Sequence, residues 1–236
     1  MNNCLLLDFD GVIINNKVIN HNIANKSSLF LSEHTHIKPH QAIEINKRNY
    51  RTFGHTLYLT NYINKHKKNY KPLTIDDFNS YVYKEEFIHR TCMNHINSND
   101  IELFVDWVNF INEIKGSNIC DDVFIFSNAP KVWIQLTIEE LEKKSQIKMN
   151  IDDIISVPEE FDNTLKPDQY PYDSFTNTKA YKDKIFFVDD NETNLQYSKW
   201  CNFLFDPLKD NRKKVKKNNE NNIKIISSPK DLYLMI

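Results

Sequence analysis

The sequence predicts an α/β fold, a parallel β-sheet core with helices on both faces and an inserted α-helical cap domain. Two observations carry this. Three short apolar runs, Cys4-Leu5-Leu6-Leu7, Val123-Phe124-Ile125-Phe126 and Ile185-Phe186-Phe187-Val188, lack the polar alternation of a half-exposed strand, as strands buried on both faces do. Between the first run and the second, residues 20–115 show helical spacing and little strand character, for example at Ala42-Ile45-Asn49, Phe87-Ile88-Thr91 and Leu103-Phe104-Trp107-Val108-Ile111. The expected organisation is a core of residues 1–19 and 116–236 with a helical unit of residues 20–115 inserted into it. A chain of 236 residues is long enough to bury a sizeable core of this kind.

The elements follow in order. After the first strand, Gly11 to Ile19 reads as a turn and small hairpin with Asn15-Asn16 at its tip. Pro39, Pro72 and the Gly54 region mark breaks between helices of the insertion. Pro130 falls at the first turn of a helix running to about Lys144, with Trp133, Leu136 and Leu141 on one face. Ile151 to Ile155 and Val157 suit a strand, and Pro158 to Lys182 suits a loop with a short helix. Glu192 to Cys201 reads as helix, Phe203-Leu204-Phe205 as strand, and Ile223 to Ile226 as the last strand before a terminal helix at Pro229.

Composition removes several functions. The only glycines are Gly11, Gly54 and Gly116, so neither a dinucleotide fingerprint nor a P-loop, which need clustered glycines, is present. Thirty basic against 32 acidic side chains give a formal charge of −2 and no global attraction to nucleic acid or anionic lipid. Cys4, Cys92, Cys120 and Cys201 form no CxxC pair, which fits a reducing compartment better than a zinc ribbon or disulfide framework. No apolar run approaches a membrane span, and Asp8 and Asp10 interrupt the only N-terminal apolar stretch. A cytoplasmic protein without a membrane or nucleic-acid partner is expected. Lys209 to Lys217, with six basic residues, reads as a solvated loop.

The chemistry-bearing residues sit where the strands end. Asp8 and Asp10 follow the first run, Ser127 and Asn128 the second, Asp189 and Asp190 the third. In open α/β sheets, ligands bind outside the carboxyl ends of the strands, so these groups face one crevice. Asp8 and Asp10, two residues apart, start on one face of an extended segment, so one can attack phosphorus while the other carries a proton. Four carboxylates in one crevice cannot all stay ionised without a counter-charge. Mg²⁺, which accepts carboxylates, waters and a substrate phosphate, supplies it. Ser127-Asn128 offers a hydroxyl and turn amides for phosphate oxygens, and Lys166 is the fixed cation of the set, aimed by Pro167. Each motif alone is a common turn or cap; their joint occurrence on three strand ends is hard to obtain by accident.

Leu5 to Ile13 around Asp8-Phe9-Asp10-Gly11, Phe126-Ser127-Asn128, Lys166-Pro167 and Phe187-Val188-Asp189-Asp190-Asn191 resemble, in order and spacing, the four motifs of the haloacid dehalogenase (HAD) superfamily. The resemblance covers Asp8 to Asn194 and implies a Rossmann-like sheet with a helical C1-type cap after motif one. Dehalogenases of the superfamily lack the second motif-one Asp, so Asp10 implies a phosphatase. The resemblance makes Asp8 the nucleophile that forms an aspartyl-phosphate. Asp10 then protonates the leaving alcohol and activates water. Asp8, the Asp10 carbonyl and Asp190 become Mg²⁺ ligands with Asp189 beside them, and Ser127 and Lys166 hold the phosphoryl group.

Substrate choice is expected in the cap. Tyr50-Arg51-Thr52-Phe53-Gly54-His55-Thr56-Leu57 resembles a Tyr-Gly-x-Thr-Leu stretch in pyrimidine 5′-nucleotidase-like members, as does the Phe-Val-Asp-Asp-x-x-x-Asn form of motif four. This implies a nucleoside 5′-monophosphate as the small-molecule substrate, with Arg51, Gly54 and Thr56 near it. Gly54 also reads as a plain helix–helix turn, and Arg51 as part of a solvated helix. A sugar-phosphate phosphatase, a phosphomutase, or a HAD-like binding protein without turnover would carry the same motifs. His34, His36 and His40 form the histidine cluster of the chain, without the converging acidic or thiol ligands a zinc site needs.

Overall fold

A computed structural model describes residues 3–35, 37–57, 73–179, 184–197, 199–208 and 223–236. Its sheet has six strands, β1 (Cys4–Leu7), β2 (Asp122–Ser127), β3 (Asp153–Ser156), β4 (Ile185–Asp189), β5 (Cys201–Phe205) and β6 (Lys224–Ile226). All neighbouring pairs are parallel, in the order β3-β2-β1-β4-β5-β6. The chain therefore reverses its direction of winding between β1 and β4, the switch point where such sheets open a crevice at their carboxyl ends.

The three apolar runs are β1, β2 and β4, and every residue of Cys4–Leu7 and Ile185–Asp189 is buried. Side chains alternate between two covered faces. Leu6, Phe126 and Phe187 join Tyr172, Phe175 and Trp200 in one aromatic cluster, in which the Phe126 ring lies 5.8 Å from each of the other four rings. Such edge-on pairs add ~1 kcal/mol each beyond burial.

The chain divides into two compact units, residues 1–15 with 97–236, and residues 16–96. The helical pattern extends to residue 115, whereas the structure places the helix α4 (Ser98–Gly116) with the sheet. The reason is topological. β1 and β2 are parallel neighbours, and a parallel pair needs a crossover element to carry the chain back to the same end of the sheet. α4 is that element. Its Trp107 donates an indole hydrogen bond to Val12 O (2.9 Å) and packs 5.6 Å from Phe205. Asn97 caps its first turn, accepting from the amides of Asn99 and Asp100, while Asp100 Oδ2 accepts from Asn97 N.

The remaining differences are local. No hairpin follows β1. Gly11 N–H donates to Ile14 O (2.7 Å) in a tight turn, and Asn16 Oδ1 accepts from Val18 and Ile19 amides to start a helix instead. Val157 opens a short helical turn (Val157–Glu160) rather than extending β3. Gln169–Lys179 forms the helix α6 expected within 158–182. Between β4 and β5, among the described residues, only Glu192–Leu195 is helical, as a single 3-10 turn, and β5 starts at Cys201 in register with Phe186. The helix after β2, α5 (Lys131–Ser145), and the terminal helix α7 (Pro229–Tyr233) stand where expected. Lys209 to Lys217 and His36 lie outside the described residues. No helix among the described residues is long and apolar enough to cross a membrane.

The second unit is helical. Its described residues contain α1 (Lys17–Thr35), α2 (Pro39–Phe53) and α3 (Ile75–Val82), followed by short helical turns from Glu85 to His95. Asn46 Nδ2 ties α2 to α1 by donating to Ala24 O and Ser28 Oγ, and the Phe30 ring packs against Phe78 and Tyr81. His34 stacks on Phe30 at 4.2 Å, so its ring is used in packing. His55 is buried against Phe78, with Nδ1 accepting from Leu57 N–H. Burial lowers its pKa to about 4 from 6.5.

A histidine whose pKa is lowered on folding stabilises the fold fully above its unfolded value and progressively less as pH falls toward its folded value, because the unfolded chain takes up the proton first. Between pH 7.5 and pH 5, urea denaturation should show wild type losing on the order of 2 kcal/mol more than His55→Gln. Equal losses in both would mean the ring is protonated where it lies.

Candidate active site

The crevice is assembled from the carboxyl ends of three adjacent strands. β1 lies between β2 and β4, with Leu7 level with both Ile125 and Val188, and Asp8 N–H donates to Val188 O (2.9 Å). Parallel register therefore delivers Asp8, Ser127 and Asp189 to one edge. Asp8, Asp189 and Asp190 each offer a carboxylate oxygen within 4.8 Å of the others, and among the described residues they are the only such group of three.

Lys166 is the fixed counter-charge. Its side chain is fully buried, with Nζ 2.7 Å from Asp189 Oδ2, 3.1 Å from Asp8 Oδ1 and donating to Phe126 O at 3.0 Å. Burial works against its charge, and the Asp189 and Asp8 carboxylates more than offset it, so its pKa is raised. Asn128 holds the lysine backbone from both sides. Its Oδ1 accepts from Lys166 N–H (2.8 Å) and its Nδ2 donates to Lys166 O (3.0 Å). Asn128, read from sequence as a phosphate contact, therefore commits its side chain to placing Lys166. Ser127 is buried at the end of β2, its Oγ accepting from Ala129 N–H.

Asp189 is over-determined. Asn191 N–H donates to its Oδ1, and Asn194 Nδ2 reaches both carboxylate oxygens at 3.1 and 3.0 Å. Tyr172 of α6 in turn donates to Asn194 O (2.7 Å). Asn191 Oδ1 caps the following turn through Thr193 N–H, which leaves Asp190 free of that job. Asp190 is exposed at the crevice although protein surrounds it closely. Gly11, at φ +89°, runs against it: a Cβ there would lie 2.2 Å from Asp190 Oδ2. Only glycine allows motif one and motif four to approach this closely.

The carboxylates resist full ionisation. Burial, then the Asp8 charge, raise the Asp10 pKa to about 7 against the opposing Trp133 hydrogen bond and Lys166. Burial raises Asp189 against the opposing charge of Lys166, and burial with the Asp189 and Asp8 charges raises Asp190 well above the carboxylate range. Asp8 Oδ1 lies within ion-pair reach of Lys166 yet has no aligned hydrogen-bond donor. An all-oxygen donor set with mutual repulsion and an orphaned buried oxygen fits a hard divalent cation such as Mg²⁺.

Trp133 is the residue sequence reasoning missed. It read as one apolar position of α5, whereas its Nε1–H donates to Asp10 Oδ1 (3.1 Å). The available signal was a tryptophan in the first turn after a motif strand, because a buried indole N–H needs an acceptor. The expected cap residues are described up to Leu57. Arg51 is exposed. Gly54 is the left-handed C-cap of α2 (φ 69°), its N–H donating to Tyr50 O. Thr56 is buried, with Oγ1 donating to Asn46 Oδ1 and its carbonyl accepting from Asn49 Nδ2.

No protein-family model matches the sequence, and no curated protein matches it. Solved structures do match over essentially their full length. A HAD phosphatase from Thermococcus onnurineus is 15% identical, with 100% of this chain and 97% of that one covered and a TM-score of 0.56. A dehalogenase is 10% identical with the same coverage and a TM-score of 0.55. L-2-haloacid dehalogenase from Xanthobacter autotrophicus, with chloropropionic acid covalently bound, is 10% identical over 98% and 97% of the two chains at a TM-score of 0.51. With its six-stranded parallel sheet, helical insertion after the first strand and carboxylates at the strand ends, this chain has the Rossmann-like fold of the haloacid dehalogenase superfamily.

Proposed function

We propose that the protein is a Mg²⁺-dependent phosphomonoester hydrolase acting through an aspartyl-phosphate on Asp8. The observation that carries the reading is the second carboxylate of the DxD pair: Asp10 follows Asp8 by two residues, is held by Trp133, and has a pKa of about 7. Such a group can give and take a proton at neutral pH. An ester exchange with water needs both acts, whereas a bare nucleophile needs neither.

Asp8 attacks phosphorus as the bond to the leaving oxygen breaks, and Asp10 delivers a proton to that oxygen. Water then attacks the phosphoryl group on Asp8, gives its proton to Asp10, and free phosphate leaves. Splitting one displacement into two lowers each barrier. Lys166 stays charged beside Asp8 and meets the negative charge that spreads over the phosphoryl oxygens, and Ser127 offers its hydroxyl. Asp8, Asp190 and the Asp10 carbonyl, with Asp189 beside them, would hold Mg²⁺, which would supply electrostatic stabilisation of that same charge.

The substrate is a small phosphorylated metabolite. The nucleoside 5′-monophosphate reading rests on the resemblance of residues 50–57, of which Gly54 and Thr56 have structural work in the fold and Arg51 remains exposed. Phosphate release from a panel of nucleoside 5′-monophosphates, sugar phosphates and p-nitrophenyl phosphate, with and without Mg²⁺, tests the function. Release that requires Mg²⁺ is expected. Isomerised product without free phosphate would make the protein a mutase, and no reaction with any substrate would leave a binding protein.

Gly11→Ala separates the cation from the ester. At Mg²⁺ one hundred times above Kd, wild type should gain about 2.7 kcal/mol, a Tm rise of roughly 5–10 °C for a chain of this size. The added Cβ displaces the Asp190 carboxylate, so the variant should lose at least half of that rise in differential scanning fluorimetry. An undiminished rise would remove Asp190 from the ligand set.

A further inference from the structure

We propose that Trp133 is a positioning residue for this reaction: its indole N–H fixes the side chain of Asp10 and assigns the transferable proton to Asp10 Oδ2. The inference rests on the phosphohydrolase reading and names a residue outside the four motifs.

The backbone of the loop carrying Asp10 does not depend on Trp133. Gly11 N–H donates to Ile14 O, Ile13 N–H to Phe9 O, and Trp107 of α4 donates to Val12 O. Those bonds set the turn and leave the Asp10 side-chain torsions undetermined. Among the described residues, Trp133 Nε1 makes the one hydrogen bond to the Asp10 carboxyl group, at 3.1 Å. Trp133 itself cannot swing. It is fully buried in the first turn of α5, and its ring meets Phe9 edge-on at 6.4 Å and 84°. The two tryptophans that donate to the loop, from α4 and α5, thus have separate tasks, one on the main chain and one on a reacting side chain.

The chemistry of the donor decides which oxygen reacts. An indole N–H can only donate, so Asp10 Oδ1 must present a lone pair in both protonation states. In the acid form the carbonyl oxygen is the better acceptor, which puts the hydrogen on Oδ2. In the first step the Oδ2 proton goes to the leaving oxygen as the P–O bond breaks and the Asp8–phosphorus bond forms. In the second, a water proton returns to Oδ2 as water's oxygen bonds phosphorus and the Asp8–phosphorus bond breaks. Oδ1 stays with Trp133 throughout, so one carboxyl orientation serves both steps.

Leaving-group dependence tests this. Protonation matters most when the departing oxygen is strongly basic, and kcat/KM reads only the steps up to its departure, so Trp133→Phe should lower kcat/KM for an alkyl phosphate by about 10–100-fold and for p-nitrophenyl phosphate by less than about threefold. Adding Trp133→Phe to Asp10→Asn should cost nothing further on the alkyl ester. Incorporation of benzothienylalanine at position 133 keeps the bicyclic shape and deletes only the donor, so it should reproduce the selective loss if the phenylalanine variant fails to fold. An equal loss on both esters, or a full additional loss on the Asp10→Asn background, makes Trp133 a packing residue and overturns the assignment. If wild type hydrolyses neither ester, the phosphohydrolase reading itself falls, and this inference with it.

Discussion

Asp8→Asn should lose at least about 10⁴-fold in kcat on every phosphate ester tested, because no other group replaces a missing nucleophile. The amide keeps the size and planar shape of the carboxylate. It removes one charge from a crevice that already raises the pKa values of Asp10, Asp189 and Asp190. The ion pair to Lys166 is lost, but Lys166 keeps its closer contact to Asp189 at 2.7 Å. The variant should therefore unfold within about 1 kcal/mol of wild type, since relieved repulsion offsets the lost pair. Loss of turnover with an intact fold is the expected signature. Hydrolysis of p-nitrophenyl phosphate by Asp8→Asn at near wild-type rate would show that water attacks phosphorus directly as the bond to the nitrophenolate breaks, and that Asp8 only helps to bind.

What the residue order could reveal follows from what is local. Leu5-Leu6-Leu7 and Phe186-Phe187-Val188 are strands because continuous apolar runs survive only with both faces covered, and that needs no knowledge of partners. The placement of Asp8, Ser127 and Asp189 at one edge follows from parallel pairing alone. Helical spacing, by contrast, does not say which body a helix packs on. Leu103 to Ile111 has the same period whether it caps or crosses, and only the need to join parallel β1 to β2 assigns α4 to the sheet. Side-chain roles that depend on the partner were harder still. The bond from the Asn128 side chain to the Lys166 backbone spans 38 positions and the acceptor of Trp133 lies 123 positions away, so neither use shows in the local pattern. Gly54 and Thr56 carry a motif resemblance, yet one terminates α2 and the other bonds Asn46. A motif names residue types, and the competing uses of those types become visible only with their neighbours in place.

Lys166→Met should destabilise the protein by about 3 kcal/mol or more, the scale set by removing one partner of a buried ion pair. Methionine fills a similar volume, so the cost is electrostatic and not a cavity. Asp189 is fully buried and keeps its bonds from Asn191 N–H and Asn194 Nδ2, which places the expected cost at the lower end of the range. The pH of the measurement matters and its sign is definite. The pKa of Lys166 is raised above 10.5, so the stabilisation is complete below that value and is lost only as pH climbs through the folded-state pKa. Urea unfolding at pH 7.5 without divalent ions therefore reads all of it. Mg²⁺ should recover part of the loss, because the carboxylates of Asp8, Asp189 and Asp190 then have a different cation to face. The variant's unfolding midpoint should accordingly respond to Mg²⁺ more steeply than that of wild type, even though its turnover is lost. A variant as stable as wild type in the absence of metal would mean that the lysine is retained for the phosphoryl group alone and that the three carboxylates reach the crevice mostly protonated.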